Sequence, residues 1–297
     1  MKIITHNAKF HTDDIFAVAA LFLLLGEENC EVIRTRDPDI ISSGDYVVDV
    51  GNMYDPERRL FDHHQNGGAA DRDNGIPYAS FGLVWKEFGE KISGSSEVAL
   101  IIDQKLVQPV DAGDNGKETY TPTIPNIYPF TLNSIIDSYR PTWKEEDNWE
   151  ARFLEAVSWA KSVLKRQIKV AADNVEGTRI ISKAYEKAPD KRLIILTEEE
   201  SFSRELVTAT LSNFPEPLYA VYYREDANEW QLVAIRSEQG SFELRKPLPL
   251  AWAGKRDGEL EEATGVEGAV FCHRGRFMCL THSKESALKL AMIALNS

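Results

Sequence analysis

The sequence predicts an α/β protein of two domains. A parallel-sheet domain covers residues 1–144, a long helical connector 145–177, and a smaller α/β substrate-binding domain 178–297. Three observations carry this reading. Short apolar strand-like runs alternate with helical patterns through the first third of the chain, as parallel β-α-β construction requires. The 297 residues are more than one hydrophobic core usually serves, because cores stop growing at roughly 250 to 300 residues. Charge is also divided unevenly. The first 150 residues hold 13 Lys and Arg against 26 Asp and Glu, the remainder 21 against 21, so the whole net charge of −13 lies N-terminal.

Met1–Thr5 reads as a buried strand, followed by a loop and an apolar helix from Asp13 to Leu25, ended by Gly26. Glu31–Arg36, Asp45–Gly51 and Arg59–Phe61 are further strands, each closed by charged or turn-forming residues. Helical spacing recurs over Tyr78–Lys91 and Glu97–Val110, the second helix running into a turn at Asp111–Gly116. Pro-rich Tyr120–Pro129 is a loop. Over Glu145–Val175, residues such as Trp149, Phe153, Val157, Ala160 and Leu164 mark a long helix that stops near Gly177. The second domain opens with a strand at Arg192–Leu196, after which Thr197 caps a helical turn of three glutamates, Glu198–Glu200, favoured by the helix dipole. Leu218–Arg224 pairs with Gln231–Arg236, and Ala269–Cys272 with Phe277–Thr281 across His273–Arg276; Ser283 caps a closing helix.

Several classes are excluded at this level. No apolar run approaches the roughly 20 residues that span a bilayer, and the longest, Ile15–Leu25, lacks the basic flank of a signal peptide. No membrane partner is expected. Cys30, Cys272 and Cys279 are odd in number and lack metal spacing, so buried thiols in a reducing cytoplasm are expected. The acidic balance opposes broad capture of duplex nucleic acid, which relies on basic patches.

Histidine and aspartate placement points to chemistry. Four of six histidines fall in two short segments at strand ends: His6 and His11 with Asp13 and Asp14, and Asp62-His63-His64. Asp49 ends an apolar strand, and Asp111 and Asp114 follow a helix. Loops at the carboxyl ends of parallel strands converge on one crevice, where these segments can meet. Singly, each has an ordinary reading: Asp49 as a turn acceptor, the His pair as one buried and one exposed ring, Asp111–Gly116 as a turn. Together they form a thiolate-free imidazole and carboxylate set suited to Mn²⁺, Fe²⁺, Co²⁺ or Mg²⁺. Six candidate ligands exceed one ion's needs and suggest the two-ion clamp used for displacement at phosphorus.

The ordered set Thr5-His6 to His11, Asp13-Asp14, Val47-Val48-Asp49-Val50-Gly51, Phe61-Asp62-His63-His64-Gln65 and Asp111-Ala112-Gly113-Asp114-Asn115-Gly116 resembles the DHH phosphoesterase superfamily. Its wording, with Gly265 to Phe277 near the C-terminus, is similar to the melanocyte-proliferating-gene family. That family is described as metal-dependent protein hydrolases and as 3′ to 5′ RNA exonucleases. The resemblance implies a DHH-type first domain with His6, His11, Asp13, Asp49, His63 and Asp111 as metal ligands, Asp49 bridging two ions. His11 stands where classical superfamily members carry a carboxylate. Ala8 and Asp14 stand where the branch favours Gly and often Glu.

The expected mechanism is attack by water activated between two divalent ions, Mn²⁺ foremost, with Mg²⁺ or Co²⁺ as alternatives. His64 would contact the phosphate or assist proton transfer, while Asp62 and Asp114 orient the imidazoles. In the second domain Gly265 and Gly268 can let backbone approach a phosphate, with His273, Arg274 and above all Arg276 as donors; the alternative is an ordinary exposed basic turn of the hairpin, which is the better reading for Arg274 alone. Arg140-Pro141-Thr142-Trp143 after the Pro-rich loop is a candidate phosphate or base contact, with a packed Trp beside a surface Arg as an equal alternative. Trp143, Trp230, Trp252, Tyr222 and Tyr223 are candidates to stack bases, core packing being their commoner fate. The expected partner is RNA or a short single-stranded oligonucleotide, and a homo-oligomer is left open. A phosphatase of pyrophosphate or a dinucleotide is the alternative activity, and a non-enzymatic metal-binding protein the alternative class.

Overall fold

Alternating short strands and helices build two separate five-stranded sheets in the computed structural model, which describes every residue except Asp147 and Gln239. Asp147, within the predicted start of the long helix, lies outside the described residues. The α/β class is as expected. The chain divides into two compact units, Met1–Ala172 and Asp173–Ser297.

In the first unit, β1 (Lys2–Thr5), β2 (Glu31–Arg34), β3 (Tyr46–Val48), β4 (Tyr54–Asp55) and β5 (Leu60–Phe61) lie in the order β2-β1-β3-β5-β4. All pairings are parallel except that of edge strand β4 with β5. Helix α1 (Thr12–Leu25) is buried along its whole length from Thr12 to Phe22. It therefore has no polar face and reads as a continuous apolar run. Gly26, at φ +82°, ends it as expected. A short α2 (Pro38–Ile41) follows β2, and α3 (Ser80–Ser93) packs against α1 through Phe16 and Phe81, with ring centroids 5.3 Å apart.

The predicted turn at Asp111 is instead helix. A chain of α4 (Ser96–Ile102), a π-helical stretch (Asp103–Val107) and α5 (Gln108–Asp114) continues through it. Buried interactions hold α5 in place. Asp111 Oδ1 accepts from the Gly82 backbone N–H of α3 at 3.0 Å, and Oδ2 pairs with Arg72 at 2.7 Å. Arg72 reaches on to Asp103 and lies 4.0 Å over the Tyr78 ring. α6 (Leu132–Tyr139), unforeseen from the sequence, is tied to α1 by Thr12 Oγ1 donating to Asn133 Oδ1 at 2.6 Å.

Helix α7 (Trp149–Lys187) runs past Gly177, and the division between units falls inside it. Gly177 stays helical because Leu206 and Phe202 press against it; a Cβ there would stand 2.6 Å from Leu206 Cδ2. A close neighbour, not a stop signal, selects glycine at this position.

The second unit carries β6 (Leu193–Ile195), β7 (Tyr219–Arg224), β8 (Glu229–Ala234), β9 (Ala269–Cys272) and β10 (Met278–Thr281), ordered β6-β7-β8-β10-β9. Both predicted hairpins form. The predicted helical turn at Thr197 does not: Thr197 donates to Glu200 in a bend, and α8 (Arg204–Ser212) starts later, capped by Ser203. α9 (Asp257–Thr264) and α10 (Lys284–Asn296), the latter capped by Ser283, complete the unit. One face of its sheet packs against Leu260, Leu290 and Ala294, the other against Ile181, Val207 and Leu211.

The tightest of these contacts is at Gly82, where a Cβ would meet Asp111 Oδ2 at 1.8 Å and Arg72 Nη2 at 2.9 Å. Gly82→Ala therefore expels a buried ion pair from its seat. Urea unfolding is expected to show a loss of about 3 kcal/mol, in the range for breaking such a pair. A loss within 0.5 kcal/mol, the ordinary surface effect, would show that α5 is not held this way.

Candidate metal centre

Asp49 follows the last residue of β3 in the left-handed region, at φ +56°, a conformation that Asp tolerates better than most residues. Its backbone N–H donates to Phe61 O at 3.1 Å, and Ser80 at the start of α3 donates to Oδ1 at 3.1 Å. The carboxylate is buried among imidazoles. His6 Nε2 lies 3.2 Å from Oδ2, His63 Nε2 3.3 Å from Oδ1, and His64 Nδ1 3.5 Å from Oδ1. His63 Nε2 is also 3.2 Å from Asp114 and 3.9 Å from Asp13, while His6 Nε2 is 3.1 Å from Asp14.

The chain folds this way for local reasons. His6 and His11 flank a loop whose carbonyls are held by two arginines. Arg34 donates to Ala8 O at 2.6 Å, and Arg140 Nε to Phe10 O at 2.8 Å. Phe10 itself is buried edge-on against Trp149 and Phe153. Asp13 and Asp14 occupy the first turn of α1, where the helix dipole favours negative charge, and Asp14 accepts from the His11 backbone N–H at 2.9 Å. Asp62 accepts from the backbone N–H of Asn52 and of His64 and receives His64 Nδ1 at 2.8 Å. The His64 side chain stays 57 % exposed.

Electrostatics set these groups apart. Burial lowers the His6 pKa, but the Asp14 and Asp49 carboxylates more than offset it and raise it to about 10. Burial works to raise Asp49, yet His6 and His63 hold it below the usual carboxylate range. Asp13 is pushed well above that range by burial and by the charges of Asp49, Asp114 and Asp14. Asp114 is raised by burial and Asp49, and His64 by its bond to Asp62. Burial lowers His11.

This donor set fits divalent cations. Both Asp13 oxygens are buried without a hydrogen-bond donor, and His6 Nε2 and His63 Nε2 have no well-aligned partner. Buried polar atoms are normally satisfied, so several orphans around one carboxylate call for a positive ligand. Three groups bring candidate ligand atoms within 4.8 Å of one another: His6, His11 and Asp49; Asp49, His63 and His64; His11, Asp13 and Asp114.

Of the residues singled out from sequence, His6, His11, Asp13, Asp49, Asp62, His63, His64 and Asp114 are brought together. Asp111 is not. Its oxygens are taken by Arg72 and Gly82, and burial raises its pKa to about 7 against the opposing pull of Arg72. Arg140, expected to grip phosphate, is occupied by Phe10 O and Asp137 and orders the ligand loop instead. In the second unit His273, Arg274 and Arg276 share one hairpin end. Arg274 is exposed, Arg276 donates to Leu248 O at 3.3 Å, and His273 Nδ1 accepts from the Gly275 N–H. The Gly268 amide is committed to Glu261 Oε1 at 2.6 Å, which removes it as a phosphate donor. Trp230, Trp252 and Tyr222 are core, Tyr223 is partly buried, and Trp143 is 89 % exposed. The cleft over the cluster, about 1440 Å³, is also lined by Lys9, Arg36 and Arg58, which sequence reasoning missed. Isolated basic residues carry no spacing signal that would have found them.

Ala8 takes φ +63° at the position where the resembling family favours glycine. An L-residue there costs roughly 1–2 kcal/mol, partly offset by glycine's greater chain entropy. Ala8→Gly is expected to stabilise the protein by about 0.5 kcal/mol or more in urea unfolding. Destabilisation would mean that the loop relaxes out of this conformation.

The chain is 30 % identical to human MYG1 exonuclease, covering 99 % of this chain and 85 % of that protein. It is 28 % identical to the MYG1 protein C694.04c of Schizosaccharomyces pombe, covering 100 % and 98 %. Among solved structures, a pGpG-specific phosphodiesterase, PggH, from Vibrio cholerae aligns over 99 % of this chain and 97 % of its own, with 13 % identity and a TM-score of 0.32. The MYG1_exonuc family model, described as "Uncharacterised protein family (UPF0160)", matches residues 2–295. With that match across nearly its whole length, the chain belongs to the MYG1 exonuclease family.

Proposed function

We propose that this protein is a divalent-metal-dependent phosphodiesterase, a 3′ to 5′ exonuclease on RNA or short oligonucleotides. The observation that carries the reading is the buried, donor-less Asp13 carboxylate beside Asp49, Asp114 and His63. The exonuclease name of the mammalian relatives supports the phosphoester class. In this reading His6, His11 and Asp49 hold one ion, and Asp13, Asp49, His63 and Asp114 hold the other. Asp114 takes the place the resemblance gives to Asp111, whose oxygens are already occupied.

Bound divalent ions, Mn²⁺ first, supply the positive charge that makes water a nucleophile at neutral pH and offsets the phosphate. Asp62 fixes the His64 ring through Nδ1, leaving Nε2 for the substrate, and raises its pKa so that it keeps a proton nearer neutrality. His64 thereby donates to a phosphoryl or leaving oxygen. Ser80 holds Asp49 in place, and His6 and His63 keep it ionised.

With Mn²⁺ present, 5′-labelled single-stranded RNA is expected to shorten stepwise, and Asp49→Ala to lower the rate by about a thousandfold, about 4 kcal/mol of barrier. Cleavage of pyrophosphate alone would replace the exonuclease with a small-molecule phosphatase; undiminished activity in the variant would remove the metal site from the reaction. Metal binding has a separate signature. His6 holds its proton up to about 10, and a ligand imidazole must be neutral. Binding therefore releases about one proton or more at neutral pH, and affinity climbs as pH rises toward 10. Calorimetry in buffers of different ionisation enthalpy reads this, and pH-independent affinity would contradict it.

A further inference from the structure

Three arginines of the first unit are spent internally. Arg34 holds Ala8 O, Arg72 holds Asp111 and Asp103, and Arg140 holds Phe10 O and Asp137. Four cations line the cleft: Arg140, Arg58, Lys9 and Arg36. The Arg58 guanidinium meets the Met53 sulfur at 3.7 Å. Lys9 and Arg36 are exposed and, among the described residues, have no carboxylate within ion-pairing distance.

Their placement is constrained. Lys9 sits on the loop between His6 and His11, and Arg36 lies two residues beyond the end of β2. β1 and β2 pair in parallel with Thr5 opposite Arg34, and the Thr35 N–H donates to Thr5 O at 2.8 Å. Arg34 then reaches from β2 to Ala8 O, next to Lys9. The two cations thus stand on adjoining, stitched strand ends at the β2 side of the metal cluster. From there the cleft continues along Pro38, Ile41 and Ser42. Two cations lining one cleft without a carboxylate partner, in the acidic half of the chain, fit an anion supplied from outside.

We propose that Lys9 and Arg36 form a phosphate subsite beside the metal centre that binds a non-scissile phosphate of the substrate. This rests on the phosphodiesterase reading and narrows it: the preferred substrate is a chain with at least two phosphodiesters, one at the metals and its neighbour on Lys9 and Arg36. A cleft of about 1440 Å³ exceeds the roughly 300–1,000 Å³ typical of small-molecule sites, which leaves room for the second nucleotide.

The test compares the wild type with Lys9→Ala/Arg36→Ala. Lys91→Ala, which removes an exposed charge outside the cleft lining, serves as the charge control. Kinetics on a short RNA are set against kinetics on bis(p-nitrophenyl) phosphate, which has a single phosphate. The ratio of the two KM values is expected to shift about tenfold or more against RNA in the double variant and to stay put in the control. In parallel, binding of a phosphorothioate-linked oligonucleotide is followed by fluorescence anisotropy over a range of salt. Single strands contribute about 0.7 to the log–log salt slope per phosphate contact, so losing this one-phosphate subsite flattens the slope by about 0.7. Equal loss on both substrates would place the two residues at the scissile phosphate or in loop folding and overturn the proposal, as would an unchanged slope. Should the wild type cleave neither substrate with any divalent ion, the phosphodiesterase reading fails, and the anisotropy slope still decides whether the subsite exists.

Discussion

Burial of negative charge around Asp49 is the constraint on which the first unit depends. Asp13, Asp14 and Asp49 are almost fully withdrawn from water, and Asp114 stands beside them. Taking an ionised group out of water costs several kcal/mol unless charge or hydrogen bonds replace the lost solvent. The fold supplies part of that replacement. The N-termini of α1 and α3 face the cluster, Ser80 donates to Asp49, and His6 and His63 sit against its two oxygens. Asp13 receives only the dipole of α1 and His63 at 3.9 Å, with no hydrogen-bond donor, and its raised pKa expresses the shortfall. A collection of acids left incomplete by the protein is the arrangement expected when cations complete it.

Such a cluster must also be kept from collapsing or drifting apart, and much of the surrounding polar structure serves that end. Arg34 and Arg140 pull on the Ala8 and Phe10 carbonyls of the loop that carries the first histidines. Arg72, Asp111 and the Gly82 amide pin α5, so that Asp114, one turn further along, faces His63. Asn133 ties α6 to the first turn of α1. Apart from Asp111, which the sequence offered as a ligand, none of these groups is a candidate ligand. Each fixes the backbone from which a ligand projects, which is how a site is held to the fraction of an ångström that chemistry needs.

This division explains what was legible in the sequence. Strand-end aspartates and clustered histidines are local signals, and His6, His11, Asp13, Asp49 and His63 all fall where the pattern put them. The choice between Asp111 and Asp114 was not legible. The two residues are three apart on one helical face, and their roles are decided by Arg72, remote in sequence. The partners of Arg140 and Gly268 were not legible for the same reason, since an arginine or a bare amide is free or occupied according to distant groups, Phe10 O in one case and Glu261 in the other. Glycine and asparagine around Asp114 imitated a turn, while buried contacts kept the helix intact. Gly177 imitated a helix stop, while the press of Leu206 and Phe202 required a small residue inside a continuing helix.

The same reasoning revises the meaning of the uneven charge. Read from sequence, the acidic half holds metal and the neutral half grips substrate. In the structure Arg34, Arg72 and Arg140 of the acidic half hold the scaffold around the cluster, and Lys9 and Arg36 stand apart from them at the cleft wall. A long-range excess of negative charge weakens the capture of any polyanion, whereas a few unpaired cations close to the reacting centre act locally, within about a Debye length of 8–10 Å. Net charge therefore governs how readily a nucleic acid approaches, and the local cations govern where its phosphates come to rest. The two effects are separable in kind, and a protein of charge −13 can carry an anion site in its most acidic half.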